Sequence, residues 1–462
     1  MVAELRQAAR RLGRARGFTI AGVLTLALGI GATTAVFSLV NAVLLRPLPW
    51  PASERLVDLS HTLEVSGVSR VDQSDAGHLF YRSNNRVFTD VGAWQATAVN
   101  LGSSGGAAAG DERRAERVTA ARISAAVPAI LRVAPVRGRA FLESEDHPGA
   151  APVALISATL WARRFGSDPS ILGRRVQIDG VSHEIVGVMP PAFGFPSAST
   201  GIWLPIGIDS TKTESATFGF RGIARLRDGV TPATATNDLT RLLPRLPEAF
   251  PGRLTVQAIE FTKMRAVATP LRDVIVGDVG RTLWVVLGAV AVVLLVACAN
   301  VANLFLARAE ARQRELAIRR ALGAGRSVVA GSLVSEAALI AAAGGAIGAA
   351  VAAAAVGSVR SLESVIPVPR LAELRTDAVV LVVAVATTLL AALLVSLLPA
   401  LRAGALSFAA VLGDTGHAST AGRTRHRARN ALVMSQVALA LVLVAGSGLL
   451  ARSMSRLRAV QP

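Results

Sequence analysis

FTIAGVLTLALGIGATTAVFSLVNAVLL, Phe18 to Leu45, contains no charged residue. About 20 apolar residues cross roughly 30 Å of hydrocarbon as a helix, and only a helix or a closed barrel satisfies its own backbone polar groups in that solvent. Arg6, Arg10, Arg11, Arg14 and Arg16 precede the stretch, as cations do in a secretory signal. The apolar core of a signal runs about 7–15 residues, whereas this one continues past Gly29 and Gly31 to Val43. The stretch therefore reads as an uncleaved anchor, and its arginines set the amino terminus on the cytoplasmic side.

Outward from it, Leu283 to Leu306, Val328 to Val359, Ala378 to Leu401 and Ala431 to Leu450 carry the same signature. The expected fold is an α-helical polytopic membrane domain of about five transmembrane helices with one large α+β extracytoplasmic domain inserted after the first. The expected division is a cytoplasmic basic amphipathic segment (1–17), spans at 18–45, 282–306, 328–359, 378–401 and 431–450, and the extracytoplasmic domain at 46–281. A cytoplasmic coupling segment (307–327), an external loop (360–377), a cytoplasmic linker (402–430) and a tail (451–462) complete it.

Composition agrees. Hydrophobic residues make up 52% and charged ones 17%, with mean hydropathy +0.48, too apolar for a wholly water-facing surface. The net charge of +18 is not a nucleic-acid footprint. Residues 50–281 hold 26 basic and 23 acidic side chains, so the excess lies beside the apolar segments and reports topology. Arg308, Arg312, Arg314, Arg319, Arg320 and Arg326 fall inside by alternation, as do Arg402, Arg423, Arg425, Arg427 and Arg429. Arg452, Arg456 and Arg458 would fall outside, a mild conflict.

In the extracytoplasmic domain, Val153 to Ile156, Val176 to Ile178 and His183 to Val188 read as strands, Thr159 to Phe165 as helix, and Gly180 as a turn. Leu101 to Gly110 reads as a flexible Gly/Ser/Ala loop. The six histidines have no metal-ligand spacing, and Gly-x-Ser-x-Gly is absent. No catalytic residue and no metal site is expected. Glu143, Glu145 and Asp146 beside His147 read as a solvated acidic loop rather than a cation site. Cys298, the one cysteine, lies in an apolar run, so no intrachain disulfide is possible.

Three stretches resemble the MacB/FtsX-like permeases of ABC transporters, and most of all the acidobacterial-type duplicated permeases. They are GFTIAGVLTLALGIGATTAVFSLVNAVLLRPLPW (Gly17 to Trp50), VALISATLWARRFGSDPSILGRRVQIDGVSHEIVGVMPPAFGFP (Val153 to Pro196) and NLFLARAEARQRELAIRRALGAGRSVVAGSLVSEAALI (Asn303 to Ile340). The second is similar to the family's periplasmic core domain. The third resembles a cytoplasmic helix that rests in a groove of a partner ATPase. The resemblance assigns coupling to Arg308, Arg312, Glu315, Leu316, Ile318, Arg319, Ala321, Leu322, Gly323 and Ala324. Independently of it, Glu310 with Arg314 and Glu315 with Arg319 stand four apart, acid first, the favoured order on a helix surface. A basic loop is also explained by topology and by attraction to anionic lipid heads.

The chain has no Gly-x-x-x-x-Gly-Lys-Ser/Thr loop, so the resemblance implies no cofactor here and ATP with Mg bound by a separate ABC ATPase subunit. It further implies a bacterial inner-membrane location, a homodimer or a pseudo-dimer with a second half, contact with membrane lipids, and a periplasmic adaptor. The implied function is a non-enzymatic permease exporting a hydrophobic, peptide-like or lipid-like substrate. The alternative is an FtsX-like signalling protein that activates an external partner. In the third span, Gly344 and Gly348 form a small-xxx-small face for helix packing, and Glu336 calls for a structural partner. Leu398 to Leu412 resembles the family's ending but lacks its proline near Ser407 or Phe408. Arg427 to Pro462 then resembles the start of a second repeat, as in a chain cut short.

Overall fold

The computed structural model describes residues 2–102, 115–213, 215, 218–277, 279–311, 326–361, 370, 374, 375, 377–405, 434, 436–442, 444–448 and 452. They form two units: Met1–Arg46 with Asp278–Pro462, and Pro47–Gly277. The first begins with α1 (Val2–Arg14) and α2 (Arg16–Val40), separated by non-helical Ala15. The Leu12 carbonyl accepts from Ala15 N at 3.0 Å and from the Thr19 hydroxyl at 2.9 Å, tying the end of α1 to the first turn of α2. A π-turn, Asn41–Leu45, ends the span, and Arg46 is extended.

The Pro47–Gly277 unit is built on one mixed sheet. Its strands are β1 (Leu56–Leu63), β2 (Val68–Val71), β3 (Gln73–Ser74), β4 (Phe88–Leu101), β5 (Glu116–Ile123), β6 (Arg137–Gly138), β7 (Val153–Ser157), β8 (Arg175–Ile178), β9 (Val181–Met189), β10 (Ile202–Pro205), β11 (Phe218–Leu226) and β12 (Met264–Pro270). The main path is β12-β1-β11-β4-β5-β10-β7-β9-β6. Long β4 joins two halves: Phe88 to Trp94 pair with β11, and Trp94 to Leu101 pair with β5. At Gly92 a Cβ would come within 2.9 Å of both Ile130 Cδ1 and Val127 Cγ2, so only glycine fits where β4 passes under those side chains.

Helices α3 (Asp75–Asn84) and α5 (Pro232–Leu242) cover one half, with Phe80, Tyr81, Ala235 and Leu239 packed on Val57, Leu59, Phe88 and Ala224. Helix α4 (Ala158–Phe165) covers the other, with Leu160 among Val118, Ile156, Ile185 and Ile202. Each start is capped by a hydroxyl, Ser74 to Gly77 N, Ser157 to Leu160 N and Thr231 to Thr234 N. Asp179 and Gly180 both have positive φ, 47° and 81°, which makes the tight turn between β8 and β9. All three expected strands, the helix and this turn are present. Of the expected Leu101–Gly110 loop, Leu101 closes β4 and residues 103–110 lie outside the described residues.

The membrane unit resumes with α6 (Val279–Ala311), α7 (Arg326–Ser361) and α8 (Ala378–Ala405). Among the described residues four helices have the length and hydropathy of spans: Arg16–Leu45, Val279–Ala309, Gly331–Val359 and Ala378–Leu397. The expected fifth is described only in part, as a shorter apolar helix, Gln436–Gly448. Helix α2 packs on α6, α7 and α8, and α8 packs on α6 and α7. Leu26, Ile30, Leu294, Cys298, Val301, Phe305, Ala337, Ile340, Ala391 and Val395 fill the centre. Ile20, Leu24 and Leu28 on α2, with Leu381, Val385, Leu389 and Leu393 on α8, stay exposed in rows four apart, the surface lipid would solvate.

Candidate functional site

Of the ten residues expected to couple to an ATPase, Arg308 is described, near the end of α6. Its guanidinium lies 4.5 Å from the centre of the Phe18 ring, and Nη2 donates to the Arg11 carbonyl at 3.2 Å. Phe18 meets Phe305 edge to face at 5.0 Å. Arg312, Glu315, Leu316, Ile318, Arg319, Ala321, Leu322, Gly323 and Ala324 lie outside the described residues. What the structure adds is the frame that holds both ends of that segment: α6 leads to Ala311, and α7 leaves from Arg326.

Glu336 of α7 is 1% exposed, and Arg11 of α1 approaches it at 3.6 Å. Burying a carboxylate in an apolar bundle is costly unless a cation offsets it. The helix before the first span supplies one cation, Arg11, and Ala8 and Leu12 of α1 are buried alongside. Gly344 and Gly348 face α2. A Cβ on Gly344 would stand 2.9 Å from Leu26 Cβ, and one on Gly348 would stand 2.9 Å from the Ala27 carbonyl oxygen. At the other end of the bundle, Asp377 accepts from Arg46 at 2.6 Å and from Asn41 Nδ2 at 3.2 Å, and caps α8 through Val380 N at 3.0 Å. The Val380 amide first, and the Arg46 guanidinium with it, hold this carboxyl below its usual range. Sequence reasoning placed Asp377 only at the end of the external loop 360–377.

The Glu143–His147 region is not a freely solvated loop. Glu143 pairs with Arg82 at 2.7 Å, Glu145 pairs with Arg139 at 2.6 Å, and Asp146 accepts from Ala125 N and Gly207 N, each at 2.9 Å. The two arginines hold Glu143 and Glu145 below the usual carboxylate range, while burial raises Asp146. These carboxylates are committed to structure, and no group of three potential metal ligands occurs among the described residues. Nearby, an open cleft of about 310 Å³ is lined by Val153, Ile178, Leu204, Arg122, His147 and His183. Sequence reasoning missed it because its walls come from β5, β10, the β8–β9 turn and the loop before β7.

A second group escaped the sequence entirely. His61 and His78 are buried, and His61 Nε2 lies 3.0 Å from the Tyr81 hydroxyl. Burial pushes both histidines down to about 4; the Asp72 backbone opposes this at His61, and Arg82 reinforces it at His78. The native state thus holds both neutral while the unfolded chain takes up protons below about pH 6.5. Their stabilisation is complete above about pH 6.5 and declines as pH falls toward 4, by up to about 3 kcal/mol per histidine at the acid limit. After division by the intrinsic exchange rate at each pH, the protection of β1 and α3 amides in the full chain is expected to fall between pH 6.5 and 4, and less so in His61→Phe. A flat profile over that range would contradict it.

Comparison with known proteins bears on both units. Residues 19–242 match the family profile of the MacB-like periplasmic core domain, and residues 287–408 match the FtsX-like permease C-terminal. The macrolide export ATP-binding/permease protein MacB of Azoarcus sp. (strain BH72) is 28% identical over 223 residues, 47% of this chain and 32% of that protein. Its namesake in Burkholderia thailandensis is 30% identical over 206 residues, 43% of this chain and 29% of that protein. The matched part thus spans about a third of each relative's length. Among solved structures, the periplasmic region of MacB from Actinobacillus actinomycetemcomitans aligns at TM-score 0.33 and 13% identity, over 48% of this chain and 97% of that one. A domain of a permease protein from Porphyromonas gingivalis aligns at TM-score 0.34 and 17% identity, over 48% and 92%.

Proposed function

We propose that this chain, which matches the MacB-like periplasmic core domain over residues 19–242 and the FtsX-like permease C-terminal over residues 287–408, is the membrane subunit of a MacB/FtsX-like ABC transporter, through which a separate ATPase drives movement of the extracytoplasmic domain. The observation that carries this reading is the C-terminal match over residues 287–408, which includes the whole segment between α6 and α7. Its amino terminus and the Arg308–Gly325 segment are cytoplasmic, and Leu316 and Ile318 supply apolar contact to the ATPase while Arg312 and Arg319 supply charge. Closure of an ATPase dimer displaces this segment. The packed bundle of α2, α6, α7 and α8 then carries the displacement toward the extracytoplasmic domain.

The substrate class is hydrophobic, peptide-like or lipid-like, already outside the inner membrane, and the chain works as a dimer or as one half of a duplicated pseudo-dimer of the acidobacterial type. The test is affinity purification of the native chain from membranes with mass spectrometry, beside Leu316→Asp and Arg319→Glu. An ATPase subunit is expected with the native chain and at least tenfold less of it with either variant. Equal recovery from all three would remove the docking assignment. Labelling of Ala311→Cys by an impermeant reagent added outside intact cells would invert the orientation.

A further inference from the structure

Helix α1 divides its arginines between two directions. Ala8 and Leu12 are buried in the bundle, and half-buried Arg11 turns inward to Glu336. Arg6, Arg10 and Arg14 recur every fourth residue and are exposed. At about 100° per residue they occupy one stripe, centred opposite the face of Ala8 and Leu12. None of the three has an ion-pair or hydrogen-bond partner among the described residues. Like charges four apart on a helix repel one another, so among the described residues this stripe lacks the anions that would stabilise it.

The position of α1 says where those anions come from. Leu12 packs into the same cluster as Phe305 and Ala337, and Arg308 of α6 bonds the Arg11 carbonyl. Those partners lie in the last turn of one span and the first turns of another, Val279–Ala309 and Gly331–Val359. Helix α1 is therefore held beside the bundle at the level where the spans leave the hydrocarbon, and α2, which follows at once, turns Ile20, Leu24 and Leu28 to lipid. A face of three arginines at that depth meets phosphate-bearing headgroups.

We propose that Arg6, Arg10 and Arg14 form a docking surface for anionic phospholipid headgroups, which fixes α1 in the plane of the membrane edge while Arg11 fixes it to the bundle. Each arginine near an anionic surface adds to the attraction, and a guanidinium grips phosphate through two parallel hydrogen bonds. The inference rests on the reading that this end of the bundle is cytoplasmic. Failure of that reading appears in the Ala311→Cys labelling, whereas lipid binding by purified protein does not depend on orientation.

The experiment is native mass spectrometry of the full chain in detergent, titrated with phosphatidylglycerol or phosphatidylcholine, for the native protein and for Arg6→Gln/Arg10→Gln/Arg14→Gln. The native chain is expected to retain phosphatidylglycerol in preference, and the triple variant to lose on the order of a hundredfold in that affinity with phosphatidylcholine unchanged. Arg117→Gln/Arg245→Gln/Arg253→Gln, which removes the same charge from exposed positions of the Pro47–Gly277 unit, is expected to keep the preference; this separates loss of the surface from loss of net charge. Equal phosphatidylglycerol binding by native and triple variant would overturn the proposal. If the triple variant bound lipid normally but no longer recovered an ATPase subunit, the surface would be a protein interface and the proposal would equally fail.

Discussion

Replacing Arg11 by alanine is expected to destabilise the solubilised protein by about 3 kcal/mol, the low end for breaking a buried ion pair, because the contact at 3.6 Å is looser than a hydrogen-bonded one. The asymmetry of the pair sharpens the expectation. Glu336 is 2% exposed at its side chain and Arg11 is 19% exposed, so removing Arg11 takes a cation away from a carboxylate sealed in the bundle. Removing the acid instead, as Glu336→Leu, leaves a guanidinium at the rim that can turn to solvent. That variant should lose less, and Arg11→Ala/Glu336→Leu should recover much of what Arg11→Ala loses, since an apolar replacement of a buried pair is often neutral. The measurement is thermal denaturation in detergent, with Arg11→Ala lowering the midpoint by about 5–10 °C. Equal losses for the two single variants, with no recovery in the double, would mean that the pair does not hold α1.

This pair also marks where sequence reading ends. The spans were legible because each is a local property: an uninterrupted apolar run needs no knowledge of its neighbours. The β7–α4–β8–β9 stretch was legible for the same reason, with Gly180 marking its turn. What stayed hidden is what distant segments make together. Asp146 reads as one more acid in a run, yet its partners are Ala125 N and Gly207 N, 21 and 61 residues away. His61 and His78 show no spacing signal, and their burial follows from α3 folding over β1. Arg46 meets Asp377 across 331 positions. In the candidate site, position along a helix pointed to Glu336 but could not name Arg11, because one acid in a span has many possible cations.

The glycines of α7 separate tight crossings from open surface. A Cβ at Gly348 would lie 2.9 Å from the Ala27 carbonyl oxygen and 3.0 Å from Gly31 N, and one at Gly31 would lie 3.0 Å from the Gly348 carbonyl oxygen. These are backbone atoms on both sides, with Ala27 and Gly31 repeating on α2 the spacing of Gly344 and Gly348 on α7. No rotamer change makes room, so a side chain must push the helices apart, and the packing contacts that hold membrane helices together go with them. Gly348→Ala is expected to cost about 1–3 kcal/mol, and Gly348→Leu to abolish the folded bundle, read as loss of a monodisperse peak in detergent. Two other glycines on the same helix extend the comparison. At Gly345 a Cβ would meet both branches of β-branched Thr388, which no χ1 rotation clears, so Gly345→Ala should also be costly; at Gly357 nothing lies within 4 Å, and Gly357→Ala, the control, should be neutral. Because α2 leads to the Pro47–Gly277 unit and α7 leaves the proposed ATPase contact, this backbone-tight crossing lies on the proposed route of force. If Gly348→Leu kept a normal melting profile while Gly357→Ala did not, α2 and α7 would not cross here and the proposed route of force would have to run through α6 instead.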